Sequence, residues 1–549
     1  MRHLSCWLVG ATLLLGASGA SCDEPLIPIG VNKQLLVDDF VIAESKNVVR
    51  ELGQVTKAND GKPISFTRVT EDGEHVPVDI WAAYNSPYYD KDRKVFRLWH
   101  RVSLADTSRP GKDADSTVEQ IGVGTDFKRG YSESTDGIHY VFKAFLEGLT
   151  TSGDTNLAVT IDEHETDPEH RYKIGYDCAG GINAAAIAHS ADGIHWTPYN
   201  DGKPVTYRAS DFPNQVYWDP GVNAYRLLTR TDFGDGGGPF ADTVKVKLSN
   251  GKMLEVRGAR SMTNPDVKAD PTNWTLDRHW LFDGRERIPV DRPPIEELLK
   301  DPEYVADLEK EAKRRQLYMM TDWMYEGVHI GLLAALEYPS DLSEGTKEDF
   351  HKRHKRSIEN FFIATCRDGV SWDWHWVYAG KPIVPRGPDG SWDKDMVFPP
   401  THLVTHDDKH WIYFGGCNER HPSAEYEAWI QRQSGIGLAW LPLDRFVSLA
   451  AGDKAGEFTT KPFKLEEKGI ELNIATEDDG WVNLEVLDEN GQPLSEFSGD
   501  NAVKFKNVDE LRAKPLWANR SDMEELVGKT VQLRFTLQDA EIYAFQITR

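Results

Sequence analysis

Five short stretches of this chain set an acid near the head of a short apolar strand: Asp79-Ile-Trp81, Asp154-Thr-Asn156, Asp211-Phe-Pro-Asn214, Tyr325-Glu326-Gly327 and Asp393-Lys-Asp395. Acids that converge on a small cleft repel one another, so one carboxyl stays protonated near neutral pH while another ionises. The first can donate a proton; the second can accept one or attack carbon. Such a pair, flanking a scissile bond, is what cleavage of a glycosidic bond requires. Any one of these acids is equally suited to a turn or strand-start hydrogen bond. Recurrence at one point of five units is what favours a shared site. The same acids would also suit a calcium ion, and no other cofactor is implied.

A repeat is needed to bring them together, and the chain has one. Tyr131-Ser-Glu-Ser-Thr-Asp136-Gly137-Ile-His-Tyr140 returns as His189-Ser-Ala-Asp192-Gly193-Ile-His-Trp196, and in degraded form as Cys366-Arg-Asp368-Gly369-Val-Ser-Trp372. Each reads as strand, Asp-Gly turn, strand. A second phrase, strand, polar turn, strand, covers Ser86 to Trp99, Leu157 to Tyr176, Gln215 to Leu228 and His402 to Phe414. Within it Phe96 and Leu98, or Tyr225 and Leu227, alternate with the period of a half-buried strand. Together the two phrases make one four-stranded unit. Five units are predicted, starting near Asp79, Asp154, Asp211, Asp322 and Asp395, with Tyr325-Glu326-Gly327 taken as the entrance of the fourth. Repeated four-stranded units signal a radial array.

The predicted fold is therefore all-β: a five-bladed β-propeller over 24–453, then a small β-sandwich over 456–549, where strands between Phe458 and Leu537 alternate in polarity. A helical insertion is expected at about 291–315, capped in the region of Asp291. Gly234-Asp-Gly-Gly-Gly238 lacks the spacing of a phosphate cradle, and the basic run His351 to Arg356 reads as a solvated loop. In a propeller the leading ends of the innermost strands line one mouth of the channel. The acids fall there.

Met1-Arg-His, the apolar run Trp7 to Leu15 and the small residues Gly16 to Ser21 form a secretory signal peptide over 1–21, too short to be a comfortable membrane span. A secreted or periplasmic protein is expected; Cys22 raises a lipoprotein alternative, against which a glycine stands where the usual leucine would. The body cysteines Cys178, Cys366 and Cys417 lack zinc spacing. Cys366 and Cys417 would pair only if neighbouring strands met, so buried thiols are expected. With 63 basic and 88 acidic residues the net charge is −25, which disfavours nucleic acid.

The arrangement resembles the five-bladed β-propeller glycosidases of glycoside hydrolase families 32, 43 and 68, and more closely the secreted family-32-like proteins of environmental bacteria. Gln34-Leu-Leu-Val-Asp38-Asp39-Phe-Val-Ile-Ala-Glu44, Gly435-Ile-Gly-Leu-Ala-Trp440, Arg445-Phe-Val-Ser-Leu449 and Leu533 to Tyr543 carry that likeness. It implies a hydrolase acting on carbohydrate through an acidic central funnel. The motifs W-M-N-D-P-N-G, R-D-P and E-C are absent, so no catalytic position transfers from the family, and Asp219-Pro220 falls in a hairpin turn. Roles then rest on repeat position. Glu326 is the expected general acid, Asp154 the base or nucleophile, and Asp211 orients the sugar or tunes the acid. Asp79, Trp81, Asn156, Asn214, Tyr325 and Asp395 would hold hydroxyls or stack on rings. The Asp-Gly-x-x-Trp turns also resemble the Asp-box of sialidases, for which Arg230 and Arg420 are the arginines placed to meet a sugar carboxylate. The rival reading is a non-catalytic carbohydrate-binding or scaffold propeller.

Overall fold

The computed structural model describes residues 26–80, 83–103, 128–150, 156–178, 184–207, 213–233, 246–247, 253–254, 256–338, 357–418, 420, 433–518 and 520–549. The predicted signal peptide, Cys22, Trp81, Asp154, Asp211, the glycine-rich loop 234–238 and the basic run 351–356 lie outside them. Strands account for 52% of the described residues and helices for 7%, so the all-β class holds.

Antiparallel units follow one another along the chain. The first takes Ser86–Asp90, Val95–Ser103, Lys128–Ser134 and His139–Phe145. The second takes Leu157–Ile161, Tyr172–Asp177 and Ala184–Ser190, edged by Thr197–Pro198 and Thr206–Tyr207. The third is Gln215–Asp219, Ala224–Phe233, Val256–Asn264 and Thr275–Trp280. The fourth has Arg315–Tyr325, Val328–Glu337 and Ile358–Cys366. The fifth has Met396–Phe398 with Val404–His406, then Lys409–Cys417 and Ser434–Pro442. The fourth and fifth share one eight-stranded sheet through a parallel bridge, Glu359 to Met396.

No single ladder runs through all five units, yet hydrogen bonds pass from each to the next and back to the first. Ser86 Oγ accepts from Val159 N–H at 2.9 Å, and Asn214 Nδ2 donates to Asp177 Oδ1 at 3.4 Å. Gln215 uses both ends of its amide on the Asp322 backbone, at 2.7 and 2.8 Å. Thr321 Oγ1 donates to Pro400 O at 3.2 Å, and Thr401 N–H to Asn85 O at 2.9 Å. These groups are buried, and a buried polar group without a partner costs about 1–3 kcal/mol. The hydrogen bonds therefore hold the five first strands in one relative arrangement.

The Asp-Gly turns have a second task beyond reversing the chain. In the second unit, Asp192 Oδ1 accepts from Ile194 and His195 N–H at 2.7 and 2.9 Å, and Ser190 Oγ accepts from Gly193 N–H at 2.9 Å. Burial alone would raise the Asp192 carboxyl; these hydrogen bonds and the His195 ring override it and bring it down to about 2. Gly193 sits at φ +81°, and its carbonyl accepts from Trp99 Nε1 of the first unit at 2.7 Å. The first unit's turn docks likewise on the fifth, Tyr413 Oη donating to Gly137 O at 3.1 Å. The third copy docks on the third unit, where Arg226 donates to Asp368 O at 3.0 Å. One turn thus fastens each of these units to its predecessor.

Both chain ends contribute to the remaining sheet. Gly469–Asp488 and Thr530–Thr548, twenty and nineteen residues long, pair antiparallel. Alternate residues such as Leu472, Leu484, Phe535 and Ile547 face one core that also holds Val41 and Phe458. Gln34–Leu35, Ile42–Lys46 and Val49–Leu52 hydrogen-bond into the same sheet, although the sequence places them with the propeller. Directly afterwards Thr56–Lys57 pairs with Ala439 and Trp440 as the outer strand of the fifth unit.

The helical insertion is present as Ile295–Leu298 and Pro302–Ala312. The cap of the longer helix is Asp301, not the region of Asp291: its carboxylate accepts from Glu303 N–H at 2.9 Å, with Pro302 at the first helical position. Tyr304, Leu308 and Ala312 bury one face against Val256 and Leu281. No helix among the described residues is long and apolar enough to cross a membrane. Cys178, Cys366 and Cys417 are buried and form no disulfide.

Candidate functional site

Asn85, Asn156 and Asn214 each stand one residue before the first strand of consecutive units, as Ser86, Leu157 and Gln215 open the registers with Trp99, Tyr176 and Leu228. All three are buried, at 0%, 1% and 0% exposure. Asn85 Nδ2 donates to Tyr413 O at 2.9 Å, and Asn214 Nδ2 reaches Asp177. Asn85 Oδ1, Asn214 Oδ1 and both amide atoms of Asn156 have no partner among the described residues. Amides in this state are ready to exchange hydrogen bonds with hydroxyl groups. Asn85 was missed by sequence reasoning. The signal lay one residue before the strand, in the same place as Asn156 and Asn214, but attention to acids passed over it.

Charged and aromatic groups surround these amides. Arg129 Nε donates to Asn156 O at 2.9 Å and its Nη2 to Asp177 O at 3.2 Å, with the guanidinium 5.3 Å from the Tyr176 ring. That bonding fixes the backbone on which Asn156 and Asp177 stand. Asp177, 3% exposed, ends the second strand of its unit, one residue beyond the Leu157 to Tyr176 pair. Tyr84 Oη lies 3.4 Å from Tyr318 Oη, which joins the leading ends of the first and fourth units. Arg230 and Arg257 stand over the Tyr318 ring at 5.8 and 5.4 Å. Asp395 is buried beside Lys394, with Arg420 Nε at 3.7 Å, and its carbonyl accepts from Glu359 N–H at 3.1 Å. Glu359 is itself fully buried.

The structure thus brings Asp79, Asn156, Asn214, Arg230 and Asp395 to the leading end. Asp79 opens the strand Asp79–Ile80 opposite Ser103. Tyr325 and Glu326 do not join them. The first strand of the fourth unit begins at Arg315, so Asp322 lies within it and Tyr325-Glu326-Gly327 forms the hairpin turn at its far end. Glu326 at φ +48° and Gly327 at φ +73° are the two left-handed residues of a two-residue turn. At about 3.3 Å per residue, Glu326 is some 26 Å along the strand from Tyr318. Tyr325 instead packs, stacking on Trp323 at 4.8 Å and donating to Asp444 at 2.6 Å. The local reading failed because the fourth unit carries a long first strand. Its Tyr-Glu-Gly turn imitates the acidic lead-in of the others.

Chemically, the leading end offers carboxyls, amides, phenols and guanidinium groups within one buried rim. That inventory can hold several hydroxyls and move a proton. Among the described residues no group of three or more His, Cys, Asp or Glu side chains is arranged to hold a metal ion.

No family model and no curated protein matches the chain. Solved structures do match. A glycosyl hydrolase from Bacteroides ovatus is 12% identical over 74% of this chain and 96% of its own, with a TM-score of 0.38. A β-1,2-mannobiose phosphorylase from Listeria innocua is 11% identical over 71% and 98%, at 0.37. A family 43 arabinoxylan arabinofuranohydrolase from Bacillus subtilis is 9% identical over 86% and 96%, at 0.29. At such scores these likenesses carry no weight for chemistry, which has to come from the geometry.

Proposed function

We propose that the chain is a five-bladed β-propeller that hydrolyses glycosidic bonds of a poly- or oligosaccharide at the leading end of its first strands. The observation that carries this reading is the run of buried amides, one in each of the first three units, each with at least one hydrogen-bonding atom that lacks a partner among the described residues. A polyhydroxylated ligand supplies both donors and acceptors to such groups. Carboxyls at the same end supply the acid and base. Asp154 keeps its role as base or nucleophile and Asp211 its orienting role. The general acid passes from Glu326 to Asp177, which stands at the leading end, buried beside Asn214. Asp79, Trp81, Arg230 and Asp395 contact the sugar. Export through the segment 1–21 would deliver the enzyme to glycans outside the cytoplasm.

The test is a panel of polysaccharides assayed for released reducing ends, with Asp177→Asn, Asp154→Asn and Glu326→Gln beside the parent. Hydrolysis lost by about 10²-fold or more in the first two and kept in the third supports the assignment. Loss in Glu326→Gln alone returns the acid to the turn. Glycan binding without any hydrolysis by the parent establishes the non-catalytic reading.

A further inference from the structure

A cavity runs along the first strands toward their turn end, reaching back as far as Gln215. It has a volume of about 440 Å³ and is lined by the tails of those strands, including Tyr88, Trp218, Asp322, Met324 and Leu403, with Glu163 on its rim. Asp322 is 3% exposed. One of its oxygens, Oδ2, accepts from the Tyr217 hydroxyl and lies 2.6 Å from His329 Nδ1. Its other oxygen, Oδ1, is buried without a partner among the described residues. Burial would make the His329 ring less basic; Asp322 and Asp219 beside it reverse that and raise its pKa. The described cavity lining holds no lysine or arginine. Asp162, which also lines it, is already satisfied by Lys173 Nζ at 2.7 Å and Tyr225 Oη at 2.9 Å.

The cavity therefore presents one unanswered carboxylate oxygen, a second acid on the rim, and aromatic walls. A neutral hydroxyl could reach Asp322, but a hydrogen bond from a charged donor is about twice as strong as a neutral one. Ring faces such as those of Tyr88 and Trp218 attract cations as well. We infer that this cavity is a binding site for a small organic primary ammonium compound, its nitrogen donating to Asp322 Oδ1 and its apolar part resting against Tyr88, Trp218 and Met324. The site is separate from the proposed hydrolytic one and does not depend on it.

Isothermal titration of the full chain near pH 7 with 2-phenylethylamine, and with the neutral isostere 2-phenylethanol, tests the inference. The amine should bind at least about tenfold more tightly than the alcohol, which corresponds to roughly 1.4 kcal/mol. Asp322→Asn should remove that preference. Because Asp322 also accepts from Tyr217, the exposed Glu163→Gln provides a second variant that leaves the interior untouched. It should weaken the amine about two- to threefold, and added salt should weaken the parent more than this variant. Equal binding of amine and alcohol, an amine preference unchanged in both variants, or no heat from the amine at any accessible concentration overturns it.

Discussion

Replacing Gly193 by alanine tests whether the Asp-Gly turns fasten neighbouring units or merely reverse the chain. An L-residue at φ +81° pays about 1–2 kcal/mol for the left-handed conformation alone. The added Cβ would stand 2.7 Å from Trp99 Cζ2 and 3.3 Å from Nε1, well inside the normal separation of about 3.5–4.0 Å. Trp99 is fully buried and cannot swing away. Either the turn lifts and its carbonyl loses the indole N–H, about 1 kcal/mol, or the core is overpacked by about 1–3 kcal/mol. The expected total loss is about 2–5 kcal/mol. Gly327→Ala is the control, since φ is +73° and nothing lies within 4 Å of the new methyl, so only the conformational 1–2 kcal/mol applies. Urea unfolding followed by tryptophan fluorescence on both variants gives the difference directly. Losses that agree within about 0.5 kcal/mol would refute docking as the source of the effect.

Further predictions follow from buried charge and from the histidines. Burial pushes His100 down to about 4 and His402 to about 3, against 6.5 when unfolded. The unfolded chain then takes up protons that the native one does not, so stability is full above about pH 7 and falls as pH drops from 6.5 toward 4. His100 contributes on the order of 3 kcal/mol and His402 on the order of 5 kcal/mol. His100→Gln should flatten that fall in urea midpoints measured between pH 7.5 and 4.5, and midpoints that climb on acidification contradict the argument. Arg226→Met strands Asp219, whose carboxylate the guanidinium holds at 2.5 Å, and should cost about 3–5 kcal/mol. Adding Asp219→Asn should recover part of that in a double-mutant cycle, and strict additivity would show no coupling. Ala58→Pro deletes the N–H that donates to Leu438 O at 2.8 Å and should lower the melting temperature by several degrees, whereas Ala58→Gly, which keeps that N–H, serves as the comparison.

The parts of this fold legible in the sequence were those governed by contacts between near neighbours. Asp136, Asp192 and Asp368 each bond backbone N–H groups two and three residues onward, so the turn is encoded in a handful of adjacent letters. The pairing of Thr56–Lys57 with Ala439 and Trp440 was not legible, because neither segment marks its distant partner. The start of the fourth unit was misread for a related reason. Nothing local distinguishes an acid before a strand from an acid in a hairpin turn, and only the register of Arg315–Tyr325 with Val328–Glu337 tells them apart. At the candidate site, Asn156, Asn214 and Asp395 were found by their position in the repeat. Asp177 and Glu359 stand on second and third strands, where the repeat gave no reason to look.

The threading of residues 34–57 bears on how the chain is made. A ribosome releases this stretch long before its partners, Val447–Ala451, Gly456–Thr460, Ala544, Phe545 and the Ala439–Trp440 pair. These residues must wait as an exposed strand until those partners are synthesised, and such edges invite aggregation. A chain exported before folding avoids that wait inside the cell, since head and tail reach the far side before either has to pair. The same knot of termini couples the two halves mechanically: a protease cut near residue 53 would release an outer strand of the fifth unit and three strands of the C-terminal sheet from a common tether.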